Sequence, residues 1–129
     1  MTHLLIVDDD LKDLRFAHDV ARSVGFADIE GRTNFEDARR FLEAALQGKC
    51  LMPDAIIIDL LLGKESGVEL LRYCYSNPRL AAIPVIVWTI LGEDQRELCS
   101  IFKVRSFLTK TDDNHALHDE LNQLRMSRL

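Results

Sequence analysis

The feature that most constrains the fold is the apolar run at residues 55–58, which is followed directly by Asp59. Three isoleucines and no charge are typical of a strand buried on both faces, as in a parallel sheet. A carboxylate beside so much hydrocarbon is costly unless its charge is compensated or it lies where the strand meets water. Ser66 and Glu69 have the spacing of a capping box, which begins a helix, so Asp59 is predicted to lie at the C-terminal end of its strand. Ligands bind at that end of open α/β sheets, although a solvated aspartate that simply closes a strand is the alternative.

The rest of the chain repeats the same order of strand and helix. The predicted strands are 3–7, 28–32, 55–58, 84–89 and 106–109. The predicted helices are 11–24, 33–48 with a capping box of Thr33 and Glu36, 66 to about 76, 92–103, and a last one capped by Asp112 or Asp113. Five strands alternating with five helices predict an α/β fold with a doubly wound parallel sheet of flavodoxin-like strand order 2-1-3-4-5.

Length and composition set outer limits on function. A chain of 129 residues is expected to form one domain. A net charge of −5 argues against direct nucleic-acid binding, which favours a basic face. No apolar run approaches the roughly 20 residues of a membrane span, and a basic signal-peptide head is missing, so no membrane partner is expected. Three cysteines, odd in number and far apart, favour reduced thiols and a cytoplasmic location.

Polar residues stand at the ends of four predicted strands: Asp8 and Asp9, Asp59, Thr89, and Lys110. In strand order 2-1-3-4-5 these ends converge on one rim of the sheet. Three crowded carboxylates must bind a proton or a cation, and oxygen ligands of this kind suit Mg²⁺. An ammonium and a hydroxyl on the other side would hold the oxygens of a transferring phosphoryl group, which an aspartate can accept covalently.

Each of these residues has an ordinary explanation when taken alone. Acidic residues are favoured at a helix N-terminus, most lysines are exposed, and threonine is favoured in strands. The prediction of a site therefore depends on their joint placement at four strand ends.

In this respect the sequence resembles the receiver domain of two-component response regulators, the CheY-like superfamily, over essentially its whole length. The five site positions of that family are matched by Asp8, Asp9, Asp59, Thr89 and Lys110. Gly67, eight residues after the acceptor position, and Phe107, three residues before the lysine, also fit. The resemblance implies a stand-alone receiver over residues 1–129 with no output domain, in which phosphorylation and dephosphorylation of the domain itself are the only chemistry.

The resemblance also implies a role for each residue. Asp59 would take a phosphoryl group from a sensor histidine kinase or a phosphotransfer protein. Asp9 and Asp59 would hold Mg²⁺, with help from Asp8 and the backbone carbonyl of Leu61. Thr89 and Lys110 would bind the phosphoryl oxygens, and Phe107 would be the aromatic residue of the switch. The output would be contact with a downstream protein, and a dimer is compatible with this scheme.

Five residues depart from the family pattern. Gly63 replaces a usual proline and is expected to loosen the loop after the acceptor. Ile90 replaces a small residue and is expected to crowd the phosphoryl group, and Leu61 is apolar where water approaches the acyl phosphate. Thr111 replaces the proline after the lysine, which favours a trans bond because a non-proline cis bond costs about 2.5–4 kcal/mol. Lys103 replaces a usual glycine before the last strand.

These departures leave other functions open. A receiver-like binding module that works without phosphorylation is the main alternative. A phosphatase of the haloacid dehalogenase type is disfavoured because Leu61 stands where that family has a second aspartate. A flavodoxin-type cofactor site is disfavoured because the first loop offers acid where a phosphate needs free backbone amides. Trp88 is predicted to be a core residue, since it alternates with Thr89 along its strand.

Overall fold

The computed structural model describes residues 2–111 and 114–127, except for the side chains of residues 93 and 94. The elements in chain order are β1 (His3–Val7), α1 (Leu11–Ser23), β2 (Asp28–Arg32), α2 (Phe35–Leu46), β3 (Ala55–Ile58), β4 (Leu61–Leu62), β5 (Glu65–Ser66), α3 (Gly67–Tyr75), α4 (Pro78–Ala81), β6 (Val85–Thr89), α5 (Glu93–Ser100), β7 (Ser106–Thr109) and α6 (His115–Ser127). The expected cap at Asp112 or Asp113 lies outside the described residues.

The main sheet confirms the predicted fold class. Its five strands are parallel and run in the order β2-β1-β3-β6-β7, which is 2-1-3-4-5 when only these strands are counted. The central strands β1 and β3 are buried along their whole length, as expected for strands covered by helices on both faces.

Two apolar layers enclose this sheet. Alternate residues of the central strands enter opposite layers: Leu5 and Ile56 pack on one face, and Leu4 and Ile57 on the other. The predicted core position of Trp88 is confirmed, since its side chain is buried in the second layer. No helix in the described part of the chain is long and apolar enough to cross a membrane.

The described residues contain six helices where five were predicted, and the additional one is α4. Asn77 and Pro78 were expected only to end the preceding helix, but they also begin this one-turn helix. The Asn77 side chain accepts hydrogen bonds from the amides of Arg79 (2.9 Å) and Leu80 (3.3 Å), and Leu80 is fully buried. Asparagine as N-cap with proline at the first helical position is a favoured start, which explains the extra turn.

Two other helix boundaries also differ from the prediction. The capping box at Thr33 was wrong, because Asn34 is the N-cap of α2 and accepts a hydrogen bond from the Asp37 amide at 2.8 Å. Helix α5 ends at Ser100 and not at Lys103, whose φ of 55° lies in the left-handed region that continues no right-handed helix. The start of α3 after Ser66 is confirmed, since the Ser66 hydroxyl accepts from the Val68 amide.

Candidate functional site

The carboxyl ends of the central strands bring the predicted acidic residues together. Asp8 follows β1 and Asp59 follows β3, and these strands are neighbours with Val7 opposite Ile58. The Asp59 amide donates to the Val7 carbonyl at 3.0 Å, so the ladder extends as far as the carboxylate. Asp8 is 1% exposed and Asp59 is 4% exposed. The sheet therefore fixes two charged side chains in a place with little water.

Asp8, Asp9 and Asp59 form a group that fits a metal ion. One carboxylate oxygen from each of the three lies within 4.8 Å of the other two. Asp9 is exposed, so the open side of the group can admit waters. Hard oxygen ligands together with retained waters are the environment that Mg²⁺ prefers. The donor set thus fits Mg²⁺, and the contribution of the Leu61 carbonyl stays a prediction.

Lys110, after β7, is the cation of the site. Its ammonium lies 2.7 Å from Asp59 Oδ2 and 2.8 Å from Asp8 Oδ2, as the sequence predicted for this rim. Burial alone would lower the pKa of Lys110, but hydrogen bonds to its three carboxylate partners outweigh that effect and raise it above its ordinary value. Lys110 is therefore a permanent positive charge beside the candidate acceptor.

A third carboxylate on Lys110, Asp13, was missed by the sequence analysis. Asp13 lies in the first turn of α1, and its Oδ2 is 2.8 Å from the Lys110 ammonium. The signal for it in the sequence is weak: Asp13 lies in the first turn of the helix that begins at this rim, where an acidic residue is favoured for its own sake. Lys110 Nζ is also 4.8 Å from the centroid of the Trp88 ring, which is a cation–π distance.

The proton affinity of Asp8 is strongly shifted. Burial raises the pKa of its carboxyl from the ordinary 3.8 to about 6, although hydrogen bonds from Lys110 and from the Asp10 amide favour the charged form. At neutral pH Asp8 is thus a charged group held in an unfavourable, dry place. A divalent cation bound at this group of carboxylates would relieve that cost.

The loop after Asp59 is a short hairpin. Strands β4 and β5 pair antiparallel around a turn that begins at Gly63, whose φ is +65°. The Gly63 amide donates to Asp9 Oδ2 at 2.8 Å, and the Leu61 amide donates to Asp59 Oδ1 at 3.0 Å. Gly63 thus forms the turn of this loop and holds Asp9 with an N–H group that proline lacks, while the expected looseness of the loop stays a prediction.

Gly67 explains how α3 can start so close to the acceptor. A Cβ at this position would lie 2.2 Å from the backbone oxygen of Asp59 and 2.8 Å from Leu60 Cα. The Gly67 amide also donates to the Leu60 carbonyl at 2.8 Å. Only glycine permits this approach of helix and strand end.

The remaining predicted positions surround the rim. Thr89 ends β6 fully buried, and its hydroxyl accepts from the Leu91 amide at 3.4 Å. Ile90 is 64% exposed, so most of its side chain faces solvent and does not fill the site. Phe107 lies buried in the core, with the guanidinium carbon of Arg96 4.9 Å from its ring centroid. The described residues contain no cis peptide bond, so the bond between Lys110 and Thr111 is trans, as favoured.

Two curated proteins match part of the chain in sequence. No protein-family model matches the chain. The KDP operon transcriptional regulatory protein KdpE of Escherichia coli is 32% identical over 101 residues, which are 78% of this chain and 40% of that protein. The phosphate regulon transcriptional regulatory protein PhoB of Rhizobium meliloti is 32% identical over 71 residues, which are 55% of this chain and 29% of that protein. The chain therefore spans less than half the length of these curated relatives.

Solved structures match over nearly the whole chain. The Mn²⁺-bound form of response regulator Rcp1 superposes with a TM-score of 0.82 and 26% identity, covering 100% of this chain and 95% of that one. The receiver domain of a signal transduction histidine kinase from Syntrophus aciditrophicus gives a TM-score of 0.80 and 27% identity, covering 98% and 92%.

The strand order and an acidic rim next to Lys110, whose side chain is 9% exposed, are those of a CheY-like receiver fold. With these relatives, the resemblance is confirmed: over nearly its whole length the chain is similar to receiver domains of response regulators, which are signalling domains of two-component systems.

Proposed function

We propose that the chain is a phosphoacceptor receiver in which Asp59 takes a phosphoryl group from a phosphohistidine of a sensor histidine kinase or a phosphotransfer protein. The observation that carries this proposal is the position of Asp59. Its carboxylate is buried, belongs to a group of acids suited to Mg²⁺, and lies 2.7 Å from the Lys110 ammonium. A nucleophile between two positively charged groups is the arrangement that phosphoryl transfer requires.

The transfer exchanges one bond to phosphorus for another. An oxygen of the Asp59 carboxylate attacks phosphorus, the P–N bond of the phosphohistidine breaks, and the electron pair of that bond returns to the imidazole of the partner. Asp8, Asp9 and Asp59 would hold Mg²⁺, which when bound would neutralise charge on the phosphoryl oxygens. Lys110 would stabilise the same charge from the other side.

The resting contacts of Lys110 suggest how the product state forms. Asp59 loses its own negative charge when it becomes an acyl phosphate, and the charge then lies on the phosphoryl oxygens. The Lys110 N–H group that meets Asp59 can follow that charge with a small movement, since lysine carries three rotatable donors. We expect the buried Thr89 hydroxyl to turn towards the same oxygens. The exposed segment at Ile90 and the Phe107 ring would then move as well. These movements would change the surface that a downstream protein contacts.

The test is transfer from a small phosphodonor. The protein is incubated with Mg²⁺ and acetyl phosphate, and intact mass is followed over time. We expect addition of one phosphoryl group, its absence in Asp59→Asn and in EDTA, and its retention in Asp10→Asn, a control for loss of one acidic charge in the neighbouring loop.

A different result would favour a binding module that works without phosphorylation. That function is supported if the wild-type chain gains no phosphoryl mass from acetyl phosphate or from candidate kinases. A phosphoryl group that is still added to Asp59→Asn would also contradict the proposal, because the acceptor would then be another residue.

A further inference from the structure

The contact between Asp13 and Lys110 differs from the other two contacts of this lysine. The ammonium has three N–H donors, and carboxylates of Asp8, Asp13 and Asp59 lie 2.7–2.8 Å from it. Asp8 and Asp59 also belong to the group of acids that fits a metal ion, whereas Asp13 does not. Two of the three restraints on Lys110 are therefore shared with the metal site.

Filling the metal site weakens the shared restraints. A divalent cation on the oxygens of Asp8 and Asp59 takes up the negative charge that also attracts Lys110. Phosphorylation then removes the charge of the Asp59 carboxylate itself. Asp13 comes from α1, and its side chain is 37% exposed, so it keeps its charge and its place through both events.

We propose that Asp13 is a positioning residue that keeps the Lys110 ammonium beside Asp59 once the metal site is filled, so that the cation meets the incoming phosphoryl group. This inference rests on the function proposed above. The Trp88 ring, 4.8 Å from Lys110 Nζ, bounds the ammonium on one side, and Asp13 adds the polar contact that is independent of the metal. Without Asp13, the flexible four-carbon stem of Lys110 is free to leave the acceptor, and the preorganised charge is lost.

The effect is expected on the rate of phosphorylation more than on metal binding. At saturating Mg²⁺, Asp13→Asn should lower the rate constant for phosphorylation by acetyl phosphate about tenfold. The Mg²⁺ concentration for half-maximal rate should change by less than about threefold, because Asp13 contributes no ligand atom. The matched control is Asp10→Asn, which removes the same charge three residues away and keeps an N-cap side chain.

A double-mutant cycle separates positioning from a structural role. In a Lys110→Ala background, Asp13→Asn should change the remaining rate by less than about twofold, since the group that it positions is gone. A role in folding alone would lower the rate by the same factor in both backgrounds. Trp88, the single tryptophan, gives a second readout: Mg²⁺ should change its emission more in Asp13→Asn than in the wild type, because Lys110 then moves away from the ring.

Each outcome of these experiments supports or overturns the role of Asp13. If the wild type is phosphorylated and Asp13→Asn reacts within about twofold of it, the inference is wrong and the proposed function stands. An equal loss in the Lys110→Ala background also overturns the inference. If the wild type accepts no phosphoryl group, both fail together. Thermal unfolding verifies that the variant is folded, and Asp13→Ser replaces it in the cycle if it is not.

Discussion

Asp8 should make the metal-free domain less stable at neutral pH than in mild acid. Its side chain is 1% exposed, and burial raises its pKa from 3.8 to about 6. Because the folded state binds this proton more tightly than the unfolded chain does, the contribution favours folding below the unfolded pKa and is lost as pH rises through the folded value. The pKa difference of about two units, at ~1.4 kcal/mol per unit, gives a cost of up to ~3 kcal/mol above about pH 6.

Asp8→Asn tests this reasoning, because asparagine has the shape of the protonated acid and no charge. In EDTA at about pH 7 the variant should have a free energy of unfolding ~1–3 kcal/mol higher than the wild type. The difference should shrink as pH falls from about 6 and approach zero below about pH 3, where the wild-type carboxyl is protonated in both states. Urea unfolding at a series of pH values measures both effects, with Asp10→Asn as the exposed control.

Magnesium should reduce or reverse the difference in free energy of unfolding between the wild type and Asp8→Asn. The wild type gains the binding free energy of the ion, while the variant has lost one of the candidate ligands. If Asp8→Asn is no more stable than the wild type at neutral pH in EDTA, burial is not the dominant influence on Asp8. The same conclusion follows if the difference is independent of pH.

Three further substitutions test the scaffold of the site. Gly67→Ala should lower the free energy of unfolding, measured in urea, by ~2–3 kcal/mol, because the added Cβ would lie 2.2 Å from the Asp59 carbonyl oxygen. An unchanged midpoint of urea unfolding would show that α3 can move away from the strand end. Gly63→Pro should weaken Mg²⁺ binding about tenfold in a fluorescence titration, because proline lacks the amide that fixes Asp9 and cannot adopt the positive φ of this turn. Gly63→Asn keeps an N–H and tolerates positive φ, so it should bind nearly as the wild type does; equal affinities of the two variants would exclude a role of this turn in the metal site. Lys103→Gly should raise the free energy of unfolding by ~1 kcal/mol, because φ is 55° there; a decrease in stability would contradict the strain.

The rim could be predicted from the sequence because its residues directly follow strands. An apolar run such as 55–58 fixes a strand, and the parallel strand order then decides which ends are neighbours. Asp59 and Lys110 are 51 residues apart and still meet, since both positions depend only on where strands end. A helix residue such as Asp13 depends in addition on how α1 rotates over the sheet, which the apolar spacing gives only coarsely.

The exact helix starts and the hairpin turn could not be predicted from the sequence either. Thr33 and Asn34 are both good N-caps, and the choice between them depends on which side chain reaches a free amide. Asn77 and Pro78 fit both the end of one helix and the start of the next. The hairpin at Gly63 depends on pairs of only two residues on each side, too few for a periodic pattern.

Amide NMR spectra recorded with Mg²⁺ and then with beryllofluoride test whether the rim binds a metal ion and a phosphoryl group, because they report on each residue of the rim. We predict that Mg²⁺ shifts the amide signals of Asp9, Asp59 and Leu61, and that beryllofluoride, a mimic of the phosphoryl group, then shifts those of Thr89 and Lys110. Spectra that respond to neither reagent, or only at residues remote from the ends of β1, β3, β6 and β7, would contradict the account.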